Sequence, residues 1–269
     1  MLVFPNAKIN LGLYITGKRP DGYHSLESIF YPVPFLTDIA EVIESKAFTF
    51  DGLNLPAHTS AEDNLAVKAW RLLEKEYHLP PVSMYLAKKI PVGAGLGGGS
   101  ADAAFALRAL SSLFKLGLST EKLEHFAAML GSDCPFFIAN KPAFVTGRGE
   151  YIQPAGMDLA GYRLSVVFPG IHIATKEAFS GITVSEPEMP LPQMIKKPAG
   201  EWKNTLENAF EKTIFPKYPV LKEIKETLYS AGALYSSMSG SGSALYALSE
   251  KSLDAKKLFP QYSTWEGSL

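Results

Sequence analysis

The chain has 269 residues, 46% of them hydrophobic and 20% charged, with a formal net charge of −1. That size fits one large or two modest globular domains, and the near-neutral balance leaves no basic field to hold nucleic acid. No apolar stretch reaches membrane-spanning length, residues 1–5 lack the features of a signal peptide, no Cys/His cluster has zinc-site spacing, and the single Cys134 excludes an internal disulfide and fits a reducing cytoplasm.

Residues 7–15 alternate and predict a strand with Lys8 and Asn10 on one face, either a solvated face or a catalytic one. Residues 17–22 are dense in turn formers, and residues 23–31 return as a second strand, so the pair reads as a hairpin with a long loop. Tyr23 and His24 fall at its rim, as ordinary surface residues or as a ring and an imidazole that meet a base. Short strands follow at 38–43 and 48–50. Residues 63–73 have helical period behind an Asp or Asn cap, and Pro80-Pro81 ends that segment.

Residues 82–90 alternate like a strand and run into the stretch that organises the chain, Pro91-Val92-Gly93-Ala94-Gly95-Leu96-Gly97-Gly98-Gly99-Ser100-Ala101. Five glycines fill positions 93–99. An alanine-rich helix is expected from 101 to 113. Glycine permits close approach of a ligand to the main chain, and the first N–H groups of a helix lack internal partners, so strand, glycine loop and helix together suit a phosphate. Ser100 can cap the helix or reach a phosphate or its Mg²⁺. The alternative is a linker or tight turn. No Gly-Lys-Ser/Thr closes the loop as in a Walker A motif, and it is a poor dinucleotide fingerprint.

A helix is expected from 119 to about 130. Then comes a polar turn, Gly131-Ser132-Asp133-Cys134-Pro135, between that helix and an apolar strand at Phe136-Phe137. Asp133 there is a cap or a carboxylate doing chemistry. Cys134 reads as a packing residue, since no charge nearby favours its thiolate. Residues 143–150 read as a strand and turn, 162–168 as a strand, 176–179 as a helix start, and the Pro-rich region 183–200 as an exposed loop. Helices are expected at 203–212 and 219–230, with Gly232 as the C′ glycine of the latter. Residues 234–248 read as strand, glycine turn, strand, a second glycine-rich loop able to press on phosphates or on the first loop's helix.

Three stretches in order, residues 7–10, 91–104 and 239–243, resemble the three motifs of the GHMP kinase superfamily. Residues 17–24, 62–64 and 131–135 resemble those of its 4-diphosphocytidyl-2-C-methyl-D-erythritol kinase family, and the likeness runs to about residue 248. The resemblance implies a two-domain α/β (α+β) fold. Its N-terminal domain, residues 1–155, would hold a left-handed βαβ crossover, and its C-terminal domain, residues 156–269, would be ferredoxin-like. It implies ATP-dependent, Mg²⁺-assisted phosphorylation of a tertiary 2-hydroxyl on a cytidine diphosphate-linked polyol of the non-mevalonate isoprenoid route.

Residue by residue, the resemblance makes Asp133 the base and Lys8 its partner. It sets Asn10, Tyr23, His24 and Phe179 at the cytidine substrate, residues 91–101 on the ATP phosphates, Asn64 and Lys88 on the adenine side, and Ser100 on phosphate or metal. Family members usually carry a small apolar residue or valine at the place of Cys134 and alanine at that of Ser132, conservative changes in volume. Partners are then small molecules, with the protein a monomer or homodimer. Other GHMP kinases of homoserine, mevalonate or sugars are the alternative enzymes, which Asp21-Gly22-Tyr23-His24 argues against. A nucleotide-binding regulator on the same fold would be favoured by loss of Lys8 or Asp133, and both are present.

Overall fold

A computed structural model describes residues 1–56, 60–184, 187 and 189–269. In chain order the strands are β1 (Leu2–Val3), β2 (Asn6–Lys18), β3 (His24–Thr37), β4 (Ile39–Glu44), β5 (Thr49–Leu53), β6 (Val82–Ala87), β7 (Ala143–Gly147), β8 (Tyr151–Pro154), β9 (Arg163–Phe168), β10 (Tyr235–Met238), β11 (Leu245–Ser249) and β12 (Ser263–Ser268). The helices are α1 (Leu65–Tyr77), α2 (Gly98–Leu113), α3 (Thr120–Leu130), α4 (Phe136–Ala139), α5 (Thr175–Phe179), α6 (Leu191–Met194), α7 (Glu211–Ile214), α8 (Pro219–Ser230) and α9 (Ala255–Leu258). The chain forms two compact units with interleaved segments.

The first unit comprises Met1–Ala7, Leu36–Val92 and Gly97–Lys141. Its sheet has the order β1-β4-β6-β5, with β5 and β6 parallel across the α1 crossover. Alternation explains the sheet: Ala40 and Val42 of β4 and Val82, Met84 and Leu86 of β6 are buried, while Glu41 and Tyr85 face out. α1 and α2 pack on each other, and α2, whose alanines are mostly buried, also packs on β4. Strand β6 stops three residues short of the expected 90, because the main-chain N–H groups of Lys89 and Ile90 turn to Asp38 Oδ1, at 2.5 and 2.8 Å. Helix α2 starts at Gly98, three residues earlier than expected. Phe136-Phe137, expected in a strand, instead opens the helical turn α4, which ends at Asn140 in the left-handed conformation.

The second unit comprises Lys8–Phe35, Gly93–Leu96 and Pro142–Leu269. One sheet, β2-β3-β7-β8, contains the expected hairpin. The other, β10-β11-β9-β12, is antiparallel throughout. With α8 between β9 and β10 and α9 between β11 and β12, this is the split βαβ arrangement of a ferredoxin-like fold. Its core gathers Leu13, Val167, Phe210, Leu221, Ile224, Met238 and Leu245.

Two expectations fail here. Residues 183–200 are not simply an exposed loop: Leu191, Met194, Ile195 and Ala199 are buried, and Leu191 Cδ1 lies 2.9 Å from where a Cβ on Gly12 would stand. Residues 185, 186 and 188 of that stretch lie outside the described residues. Nor is 203–212 one helix. A 3₁₀ stretch, Ala199–Asn204, is followed by Asn208, which forms a parallel bridge to Leu13, and only then by α7.

Candidate active site

In the first unit, the start of α2 is a bare helix terminus. Gly97 caps it in the left-handed conformation with φ +72° and, having no side chain, gives the first N–H groups no cap hydrogen bond. Unpartnered N–H groups and the positive end of the helix dipole make this a place for an anion. Beside it lies the 131–135 turn. The Cys134 thiol meets the Ser100 hydroxyl, and burial pushes that thiol up to about 11, so it stays protonated. Asp133, half-buried, sits in the same turn and has its own interaction partner.

Under this helix start lies an ion cluster. Lys88 Nζ meets Asp38 Oδ2 and, at 2.5 Å, Asp102 Oδ2, with all three side chains nearly inaccessible. A Cβ on Gly98 would stand 3.2 Å from Lys88 Nζ and 2.9 Å from Ile90, so the helix can settle this closely only with glycine there. Burial raises the Asp102 carboxyl to about 7. The Lys88 charge opposes that rise, but Asp38 shares the same ammonium and repels a second carboxylate.

In the second unit, Lys8 and Asn10 point from β2 into a closed polar network. Lys8 is 3% exposed; its ammonium donates to Asn10 Oδ1 at 2.5 Å and lies 4.4 Å over the Phe30 ring. Asn10 Nδ2 donates to Ser28 Oγ at 2.9 Å, and Ser28 in turn donates to the Gly12 carbonyl at 2.7 Å. The chain of donors fixes which way the Asn10 amide faces, and therefore that its oxygen meets the ammonium. Tyr246, whose phenol burial holds well above its ordinary pKa, donates to the Asn10 carbonyl at 2.6 Å.

The two glycine-rich loops meet in this unit. Ser239 Oγ donates to the Gly95 carbonyl at 2.9 Å, and Ala244 N to the Ala94 carbonyl at 3.1 Å. The aromatic residues separate. His24 stacks on Phe179, with ring centroids 5.0 Å apart and planes 22° from parallel, and Phe210 stands edge-on to Phe179. Tyr23 is 59% exposed beneath the Arg148 guanidinium, at 4.9 Å.

The GHMP kinases N terminal domain model matches residues 64–147, and the GHMP kinases C terminal model matches 191–264. A 4-diphosphocytidyl-2-C-methyl-D-erythritol kinase of Bacteroides fragilis is 52% identical over 252 residues, covering 92% of each chain. One of Parabacteroides distasonis is 46% identical over 271 residues and covers both chains completely. The chain belongs to the 4-diphosphocytidyl-2-C-methyl-D-erythritol kinase family, within the GHMP kinases. A crystal structure of a 4-(cytidine 5'-diphospho)-2C-methyl-D-erythritol kinase matches it with a TM-score of 0.85 and 32% identity, over 100% of this chain and 98% of that one.

As a member of this kinase family, the chain uses ATP. Its candidate residues fall into distinct settings. Asn64 is the N-cap of α1, its Oδ1 accepting from Ala66 N at 2.9 Å. Lys88, named for the adenine side, is 6% exposed with its ammonium between two carboxylates, a setting that braces α2. Pro91, Val92 and Gly97–Ala101 belong to the first unit, Gly93–Leu96 to the second.

Sequence reasoning missed His172. Its Nδ1 lies 2.8 Å from where a Cβ on Gly93 would be, so the imidazole covers the first glycine of the loop. The neighbouring Ile171 carbonyl accepts from Ser243 Oγ, in the second loop. The only signal was Pro169-Gly170, which places a turn before it.

Proposed function

We propose that the protein transfers the γ-phosphoryl group of ATP to the 2-hydroxyl of 4-diphosphocytidyl-2-C-methyl-D-erythritol. The observation that carries this reading is the His24–Phe179 stack, an aromatic surface a cytosine can lie on, because the acceptor substrates of homoserine, mevalonate and sugar kinases carry no base. Identity of 46–52% to kinases of that name supports it.

In this reading Asp133 accepts the hydroxyl proton as the new O–P bond forms and the bond from the γ-phosphorus to the β,γ-bridging oxygen breaks, releasing ADP. Lys8, its ammonium oriented by Asn10, supplies positive charge that polarises the hydroxyl. Phosphoryl transfer needs positioning and charge stabilisation more than covalent help. Main-chain N–H groups at the start of α2 take the triphosphate. His24 and Phe179 hold cytosine, with Tyr23 at the rim, and Asn64 borders the adenine.

The donor set fits a Mg²⁺ carried in on the nucleotide. Among the described residues no group of three His, Cys, Asp or Glu could hold a metal, and Ser100 offers one hydroxyl near the phosphates. Mg²⁺ bound mainly by phosphates and water would neutralise triphosphate charge. Among the described residues no helix is long and apolar enough to cross a membrane. We place the enzyme in the cytoplasm, as a monomer or homodimer.

The test is a coupled ADP-release assay with ATP and Mg²⁺, comparing the cytidine compound with homoserine, mevalonate and galactose. Turnover with the cytidine compound alone is the expected result. Turnover with another alcohol would overturn the substrate while leaving the kinase in place. ATP binding without turnover would favour a regulator.

A further inference from the structure

Asn208 belongs to no motif that the sequence singled out, yet it ties together three parts of the second unit. It is 1% exposed, and both ends of its amide are engaged. Nδ2 donates to the carbonyls of Met238 and Gly240, at 2.7 and 2.8 Å, while Oδ1 accepts from Phe210 N at 3.0 Å. Its main chain lies against β2: Leu13 N donates to the Glu207 carbonyl and Ala209 N to the Leu13 carbonyl, each at 2.8 Å. A side chain that gives two protons from one atom and accepts on another at this length is an amide.

The two carbonyls that Asn208 holds flank Ser239, the residue whose hydroxyl is bonded to Gly95. Glu211 supports the same turn, accepting from Ser237 Oγ at 2.9 Å and Met238 N at 2.8 Å while pairing with Lys225. In the other direction, Phe210 stands edge-on to Phe179 with centroids 4.9 Å apart, and Phe179 carries His24. One amide therefore sets the second glycine loop against the first and seats the ring beneath the aromatic pair.

We propose that Asn208 is a positioning residue for both substrates, acting on ATP through Ser239 and Gly95 and on the cytidine compound through Phe210 and Phe179. The proposal rests on the function given above. It distinguishes itself from a purely structural role by where the effect falls. A side chain that only stabilises the fold changes the melting temperature and the fraction of active enzyme. A positioning residue changes both KM values in the molecules that remain folded.

The isosteric Asn208→Asp keeps the acceptor for Phe210 but turns an oxygen toward two carbonyl oxygens. It should raise KM for ATP and for the cytidine compound together, each by about fivefold to tenfold, the effect of about one lost hydrogen bond. Ser239→Ala should raise only the ATP value, and Phe210→Leu only the cytidine value. Combining Asn208→Asp with Ser239→Ala should raise the ATP value by less than the product of the two single effects, since both act through one contact. Asn208→Ala gives the same comparison without an added charge if the aspartate does not fold. KM values unchanged in folded protein, or a rise in only one of them, would overturn the proposal. ATP affinity measured by calorimetry needs no acceptor alcohol. The loop half of the proposal is thereby tested even if the wild-type protein fails to turn over the cytidine compound, which would instead refute the substrate assignment.

Discussion

Gly95 and Ser239 approach so closely that a Cβ on Gly95 would stand 1.9 Å from the Ser239 carbonyl oxygen. The obstacle is main chain, not a side chain that can swing away, and Gly95 has φ +78°, where a Cβ is strained even in open space. Gly95→Ala should therefore push the two glycine loops apart and weaken ATP binding by about tenfold or more, taking about 1–2 kcal/mol from the left-handed backbone alone. Gly99→Ala is the contrast: it lies in α2, its nearest outside atom is Leu65 Cδ1 at 3.8 Å, and alanine favours a helix. The second variant should melt at the same temperature or higher, the first lower. Calorimetric titration with ATP and a thermal melt on each decide it; equal ATP affinity in Gly95→Ala would refute the role of the close contact.

Asp133→Asn removes the proposed base while keeping the shape of the 131–135 turn. The expected outcome is a fall in kcat of about 10²–10⁴-fold, the usual value of general base catalysis. ATP affinity should stay within about twofold, because the triphosphate is assigned to main-chain N–H groups. Single-turnover kinetics with saturating ATP give the chemical step directly. A variant with ordinary turnover would take Asp133 out of the reaction.

The His24–Phe179 stack predicts which KM moves. Aromatic pairs of this kind are worth about 0.5–1.5 kcal/mol beyond their buried area, so His24→Ala should raise KM for the cytidine compound by about twofold to tenfold or more. KM for ATP should not follow. Steady-state kinetics varying each substrate in turn separate the two, and equal changes would remove His24 from the cytosine pocket.

What the sequence disclosed follows from physics that is local. The cap of α1, left between Asp63 and Asn64 and found at Asn64, the passage from glycine loop to helix, read about three residues late, and the C′ glycine at 232 each depend on a few neighbouring residues. Alternation also located β2 and β6. The failures depend on distant partners. Leu191, Met194 and Trp202 are buried, but they lie in turns of four to six residues, too short for a helical period to register. Strand β12, Ser-Thr-Trp-Glu-Gly-Ser, has little apolar alternation because it is an edge strand beside β9, and it was not anticipated. At the site, Lys88 has the charge of a ligand contact, and its two carboxylate partners, Asp38 and Asp102, lie elsewhere in the sequence. Asn208 acts through carbonyls of another segment, a relationship no spacing encodes.

The buried cluster beneath α2 yields a prediction in pH. One ammonium, Lys88, faces two carboxylates, and Asp102 Oδ1 has no hydrogen-bond partner among the described residues. Asp38 accepts from the main-chain N–H groups of Lys89 and Ile90 as well as from Lys88, while Asp102 has only Lys88 for a donor among the described residues, so Asp102 is the carboxyl that retains a proton. Burial raises Asp102 from an ordinary 3.8 to about 7. Between those values the folded protein binds this proton and the unfolded chain does not. Stability from this group therefore falls as pH climbs through the window, and the loss is complete once pH exceeds the folded value. Asp102→Asn abolishes the titration and leaves Lys88 its Asp38 partner, so no buried charge is stranded. The melting temperature of the variant minus that of the wild type should therefore rise from about pH 4 to about pH 7 and then level off. The offset at the acid end is free to have either sign, because the amide exchanges one unpartnered oxygen for an unpartnered N–H. Thermal melts at several pH values on both proteins give the slope. A flat difference would show that Asp102 is ionised throughout, and a falling one that the attraction of Lys88 outweighs burial.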